Sequence, residues 1–165
     1  MASTYEKIAT TTLSSATGTV TFSSISANYT DLVLILNLKA VSGSSAYPKI
    51  AFNSDTAANY SITFITGDGS TATSGRVANS VGYITGYTVE SSTEFNFNGI
   101  YSIQNYSNTT TYKTTIGRCN NAAGHTEAIV NLWRNTAAIT TIDFTNANSN
   151  FAIGSTFTLY GIKAA

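Results

Sequence analysis

One histidine, one cysteine and eight acidic side chains are what this chain of 165 residues offers for chemistry. His125 closes the stretch Asn120-Asn121-Ala122-Ala123-Gly124-His125, a turn composition, and a hydrolytic triad would need it beside a nucleophile and an orienting acid. No nucleophile elbow accompanies it, so an exposed turn residue is expected. Cys119, alone in the chain, excludes an internal disulfide and stands in Thr114-Thr115-Ile116-Gly117-Arg118-Cys119-Asn120, a strand-like run where an inert, buried thiol is expected. The carboxylates Asp31, Asp55, Asp68, Glu90, Glu94, Glu127 and Asp143 are isolated, and no spacing singles out the pair that glycoside hydrolysis requires. Gly67-Asp68-Gly69 has the look of a calcium loop without its alternating oxygen ligands or closing glutamate. The reading is of a protein that binds or builds, with no catalytic residue, no cofactor and no metal.

The elements that must hold these residues are read from composition and period. Ser, Thr and Asn make up roughly two-fifths of the chain, whereas only 10% of residues are charged and strong helix formers are scarce. Thr suits the pleated strand surface, and Asn and Ser suit turns. Eight basic and eight acidic residues give a formal net charge of +0. No face is expected to concentrate the positive potential that phosphate backbones attract, which argues against nucleic acid, and nothing repels one copy from another. The amino-terminal residues lack a basic patch and an apolar run, and the longest apolar stretch, Leu32 to Leu36, has strand length. Neither secretion nor membrane insertion is expected. The Asn-X-Ser/Thr triplets at Asn28, Asn59, Asn105 and Asn108 are then products of composition.

Period-two alternation predicts strands over Tyr5 to Leu13, Gly18 to Ile25, Asp31 to Lys39, Lys49 to Phe52, Tyr60 to Ile65, Val81 to Thr85, Glu94 to Tyr106, Thr111 to Asn120, Glu127 to Arg134, Ile139 to Phe144 and Thr156 to Lys163. This is the pattern of an all-β domain spanning 1–165, an antiparallel two-sheet sandwich. Its predicted core is Leu13, Phe22, Leu32, Leu34, Leu36, Phe52, Phe64, Phe97, Ile103, Ile116, Leu132, Ile142, Phe157 and Leu159. Continuous Leu32-Val33-Leu34-Ile35-Leu36 predicts a central strand buried on both faces or inside an oligomer contact. Gly67 to Gly75, small and polar, predicts a projecting loop. Ten tyrosines and eight phenylalanines exceed what one small core needs and suit protein interfaces or sugar-stacking surfaces.

Several stretches carry a resemblance: Met1 to Leu13, Ile25 through Leu34 with Tyr29-Thr30-Asp31-Leu32-Val33-Leu34, Phe52-Asn53-Ser54-Asp55 followed by Asn59-Tyr60-Ser61, Ile103 to Asn108, and Gly154 to Ile162. Over nearly the whole chain the sequence resembles bacteriophage virion structural proteins, frequent in phages of cyanobacteria and other aquatic bacteria. That resemblance implies a jelly-roll-like sandwich, often a homotrimer, that acts as a capsid decoration or cement protein or as a tail-fibre domain. It implies partners among its own copies and the major capsid protein or other virion proteins, a place on the capsid surface or tail after assembly in the host cytoplasm, and no enzymatic activity. A compact domain without a shaft favours cement. The alternative is a fibre or spike tip that binds a host-surface receptor, a glycan among the options.

No contact residue transfers with the resemblance, because the matching motifs read as core strands and turns. From the sequence alone, the contact candidates are the amino-terminal arm Met1 to Lys7, with Ala2, Ser3, Thr4 and Tyr5, which could extend along a neighbour by strand addition, and the loop Gly67 to Asn79, with Arg76 as its charge-fixing cation.

Overall fold

Alternating burial drives the strands into two layers. In β12 (Thr156–Ile162), Phe157, Leu159 and Gly161 point inward and Thr158 and Tyr160 outward; in β8 (Phe97–Gln104), Phe97, Gly99, Tyr101 and Ile103 do the same. The computed structural model describes residues 4–42, 46–86, 91–121 and 124–163, and within them the chain is all β, without helix. The remaining strands are β1 (Tyr5–Thr12), β2 (Thr19–Phe22), β3 (Asp31–Leu38), β4 (Tyr47–Phe52), β5 (Tyr60–Gly67), β6 (Ala72–Ser80), β7 (Tyr83–Ile84), β9 (Lys113–Asn121), β10 (Thr126–Trp133) and β11 (Ile142–Ala147).

They form an eight-stranded sheet in the order β1-β12-β3-β8-β9-β10-β5-β6 and a four-stranded sheet in the order β2-β11-β4-β7, with every pairing antiparallel. The first four strands of the large sheet and the four of the small one make up a jelly roll, since the chain crosses between layers at every connection except β5 to β6, β8 to β9 and β9 to β10. Two hairpins, β5–β6 and β9–β10, widen the large sheet beyond that frame.

Aromatic pairs bridge the layers. Phe144 of β11 meets Phe157 of β12 with ring centroids 5.1 Å apart, and Phe52 of β4 meets Trp133 of β10 at 5.5 Å. Trp133 also stacks on Tyr60 at 6.2 Å, so β5 and β10 are tied to the small sheet through one cluster. Further along β9 and β10 the inner face turns polar: Lys113, Thr115, Glu127 and Asn131 are all buried. Lys113 Nζ donates to the carbonyls of Thr111 and Thr136 at 2.8 and 3.0 Å, and Asn131 Nδ2 donates to Thr115 Oγ1 at 3.0 Å. Burial lowers the pKa of Lys113, and the two carbonyls compensate for lost water.

Several expectations are corrected. Gly67 to Gly75 is not a projecting loop, because Ala72–Ser80 pairs along β5 as an edge strand and only the turn around Asp68 to Thr71 projects. Ile35 is 42% exposed, so burial of β3 on both faces within the chain does not hold, and of the two placements expected for this strand only the oligomer contact is left as a proposal. Ile116 is 55% exposed and Leu132 half-buried, because the inner faces of β9 and β10 are instead supplied by Lys113, Thr115 and Cys119 and by Glu127, Ile129, Asn131 and Trp133. Leu13 is half-buried at the edge of the core. The segment at Val81 to Thr85 contributes a two-residue strand, and the one at Ile139 to Phe144 starts at Ile142 and continues to Ala147.

Candidate functional site

Thr4 and Tyr5 lie exposed at the start of β1, whereas Ala2 and Ser3 fall outside the described residues. Tyr5 packs edge-on against Tyr160, with centroids 6.5 Å apart, on the outer face of the large sheet. Arg76 sits opposite Thr63 on β6 and points to the same outer face. β1 and β6 are the two edges of the eight-stranded sheet, roughly 34 Å apart at ordinary strand spacing. The candidate contact residues are therefore two separate edges and not one site.

Between those edges much of the outer face is open among the described residues, although Val33 of β3 is buried there. Its exposed side chains include Ile35, Ile65, Ile116 and Val130, with Ile65 at 62% exposure. They lie in two cross-strand rows: Ile35, Ile100, Arg118, Ala128 and Ile65 in one, Val33, Ser102, Ile116, Val130 and Thr63 in the other. The cations on this face are Lys7, Arg76 and Arg118; Asp31, at its rim, accepts the Asn105 N–H at 2.7 Å. An asparagine ladder, Asn37, Asn98 and Asn120, runs beside Arg118 and lines a shallow groove of about 430 Å³.

A second concavity lies over the small sheet. Asp143 of β11 stands opposite Ala51 of β4, and Thr145 opposite Lys49, so these four side chains form its floor. The turn after β4, with Ser54 and Thr56, closes one side, and Val81 and Gly82 close another, leaving a cleft of about 460 Å³. That volume lies within the usual range of small-molecule sites, about 300–1,000 Å³. Ala51 is the reason there is room, because a longer side chain would occupy the space above Asp143. Gly82 adopts φ +68 with its missing Cβ position 3.0 Å from the Ile50 carbonyl oxygen, so the wall approaches β4 as closely as a side-chain-free residue permits.

The turn is held in an unusual backbone state. Asn53 and Ser54 are consecutive non-glycine residues with φ of 51° and 53°, each costing about 1–3 kcal/mol unless the surroundings enforce it. They are enforced here. Asn53 Oδ1 accepts the N–H groups of Thr140 and Thr141 at 2.8 and 3.1 Å, and Asn53 Nδ2 donates to the Ala138 carbonyl at 2.7 Å. The result is that Ser54 Oγ donates to Asp143 Oδ2 at 2.9 Å, while Thr21 Oγ1 donates to Oδ1 at 2.7 Å. Asp55, next in the chain, is spent on structure: its carboxylate accepts the Ala57 N–H, Asn59 Nδ2 and Trp133 Nε1, the last at 2.7 Å.

Neither protein-family models nor curated proteins give a match to this chain.

The remaining reactive side chains are dispersed. His125 is exposed in the turn between β9 and β10, where its backbone N–H donates to Asn121 Oδ1 at 3.3 Å. Cys119 is buried, and burial first, then the nearby Glu127 charge, pushes its thiol up to about 12 against a weaker opposing hydrogen bond with Tyr101. Among the described residues no three His, Cys, Asp or Glu side chains cluster as a metal site. Asp68 is drawn down to about 2 by N–H groups of Thr71 and Ser70 and by the Ser70 hydroxyl, which makes it the organiser of the β5–β6 turn. Sequence reasoning missed the cleft because its parts, Lys49, Ala51, Ser54, Val81 and Asp143, come together only through the β4–β11 pairing and the turn that follows β4.

Proposed function

We propose that the chain is a structural protein of a bacteriophage virion, a cement or decoration protein that clamps the phage shell. The observation that carries this reading is the outer face of the eight-stranded sheet, with exposed Ile35, Ile65, Ile116 and Val130 in adjoining rows and cations at Lys7, Arg76 and Arg118. Exposed apolar side chains interspersed with Ser102 and Arg118 suit a protein-protein contact, and the cations suit an acidic partner surface. The resemblance of Met1 to Leu13 and Gly154 to Ile162 to virion proteins supports the same reading.

The homotrimer fits the two free edges. An edge pairing in which β1 of one copy meets β6 of the next is head-to-tail, and such contacts close into rings when the rotation permits. A clamp that touches several shell subunits at once gains from multivalency, since each contact holds the others at high effective concentration. The second reading, a fibre or spike tip that binds a host receptor, is favoured by the preformed cleft over the small sheet.

Copy number separates the two. Quantitative mass spectrometry of purified particles should give hundreds of copies for cement, with particles lacking the protein losing tolerance of heat. A few copies, with deletion leaving particles stable but unable to adsorb to cells, would overturn the cement reading in favour of the tip.

A further inference from the structure

We infer that the cleft between the small sheet and the Val81-Gly82 wall is a binding site for a neutral saccharide. It lies on the outer face of β4 and β11, the layer opposite the exposed face of the large sheet, and it deepens the second reading above, a tip that binds a host receptor, by naming the ligand class of that cleft.

The chemistry follows from which groups are committed and which are open. An ionised carboxylate has about four acceptor sites, and Thr21 and Ser54 use one on each oxygen of Asp143, which fixes its plane and leaves acceptor capacity on both. The Lys49 ammonium, on the same face two residues from Ala51, makes no hydrogen bond or ion pair among the described residues and brings three donors. Thr56 and Thr145 add hydroxyls, and Ala51 with Val81, 51% exposed, adds apolar surface. A carboxylate that accepts from adjacent hydroxyls, an ammonium that donates to hydroxyl or ring oxygen, and an apolar patch for the C–H face are the complement of a sugar ring. A phosphate or polyanion is disfavoured, because Asp143 and Asp55 outnumber the single cation Lys49 in the lining. The backbone supports a built site, because the left-handed pair Asn53-Ser54 is held in place from Thr140, Thr141 and Ala138 and delivers the Ser54 hydroxyl to the carboxylate.

The test is nitrogen-proton correlation NMR of the full chain titrated with maltose, lactose, cellobiose and mannobiose in the millimolar range. At least one should shift the amides of Ala51, Ser54, Gly82 and Thr145 as a group. Asp143→Asn should weaken that binding by about tenfold or more, the loss expected on removing a charged acceptor. Ala51→Phe should abolish it while leaving the rest of the spectrum folded, and Lys49→Met, a milder change, should weaken it with no change in thermal midpoint. No shift with any of the four sugars would overturn the inference, as would shifts that map to Arg118 and Asn98 instead, binding that survives Ala51→Phe, or binding of free glycine in place of sugar.

Discussion

The ring of Tyr101 fills the space that a side chain on Gly117 would need: a Cβ at Gly117 would stand 2.1 Å from Tyr101 Cδ1 and 2.9 Å from the Ile100 carbonyl oxygen. Tyr101 is fully buried, and its hydroxyl donates to the Thr85 carbonyl, so the ring is fixed at its far end as well. Gly117→Ala must therefore displace either the ring or the β8–β9 ladder. The expected cost is about 1–3 kcal/mol, the usual range for overpacking. Calorimetry should show a fall of several degrees in the melting midpoint at the scale of roughly 2–4 °C per kcal/mol for this chain length. An unchanged midpoint would mean that the ring has another place to go.

Burial of Cys119 has a chemical consequence. With its thiol pushed up to about 12, the fraction present as thiolate at neutral pH is negligible, and the side chain is inaccessible besides. A thiol-reactive probe at pH 8 should leave the native protein unlabelled for as long as it stays folded, then label one site per chain in denaturant. Rapid labelling of the native state would show that β9 opens locally.

The jelly-roll frame was legible where one strand face is apolar and the other is not. Phe157 and Leu159 against Thr158 and Tyr160, and Phe97, Tyr101 and Ile103 against Asn98 and Ser102, fix both strand and facing. Where both faces carry apolar residues the phase is ambiguous. In β10, Ile129 and Trp133 compete with Val130 and Leu132, and in β9 the inner set is Lys113, Thr115, Gly117 and Cys119, which leaves Ile116 as the misleading apolar mark. β6 escaped for a different reason. Ala72–Ser80 is an edge strand with little apolar surface on either face, so its only strand signal is the ladder offered by β5, a partner that sequence alone does not reveal. The cleft is non-local in the same sense, since Asp143 and Ser54 are 89 residues apart.

The exposed apolar face supplies a prediction about association. Ile116 and Val130 are direct cross-strand neighbours, 55% and 46% exposed, so replacing both with Lys should remove apolar contact surface without opening a core cavity. Light scattering of the wild-type chain at micromolar concentration should report a mass near three chains. Particles displaying Ile116→Lys/Val130→Lys should have lower occupancy than wild type, with the thermal midpoint of the isolated protein little changed. Full occupancy on particles would count against this face as the shell contact, whereas a large loss of stability would mean that the pair is not as open as it stands.

Acid should act on the fold through Asp55, and the sole tryptophan reports it. Burial of the Asp55 carboxyl raises its pKa, but hydrogen bonds from Asn59, Trp133, Ala57 and Asn135 together outweigh that and hold it below the usual carboxylate range. A carboxylate whose pKa is depressed on folding contributes stability that is complete above its unfolded value, near 4, and is lost as pH falls through the lower folded value. Stability should therefore be flat from neutral pH down to about 4 as far as this group is concerned, then decline with further acidification. Trp133 Nε1 donates to Asp55 Oδ2 at 2.7 Å, so protonation weakens that bond and should shift the emission of Trp133 before the global transition. Asp55→Asn keeps an amide oxygen for the indole N–H but cannot titrate. It should therefore be less stable than wild type at neutral pH and lose the acid-linked emission change, while Asp55→Ala should lose both the bond and the turn that it organises around Ala57 and Asn59. An emission change that persists unaltered in Asp55→Asn would assign the acid response to another carboxylate.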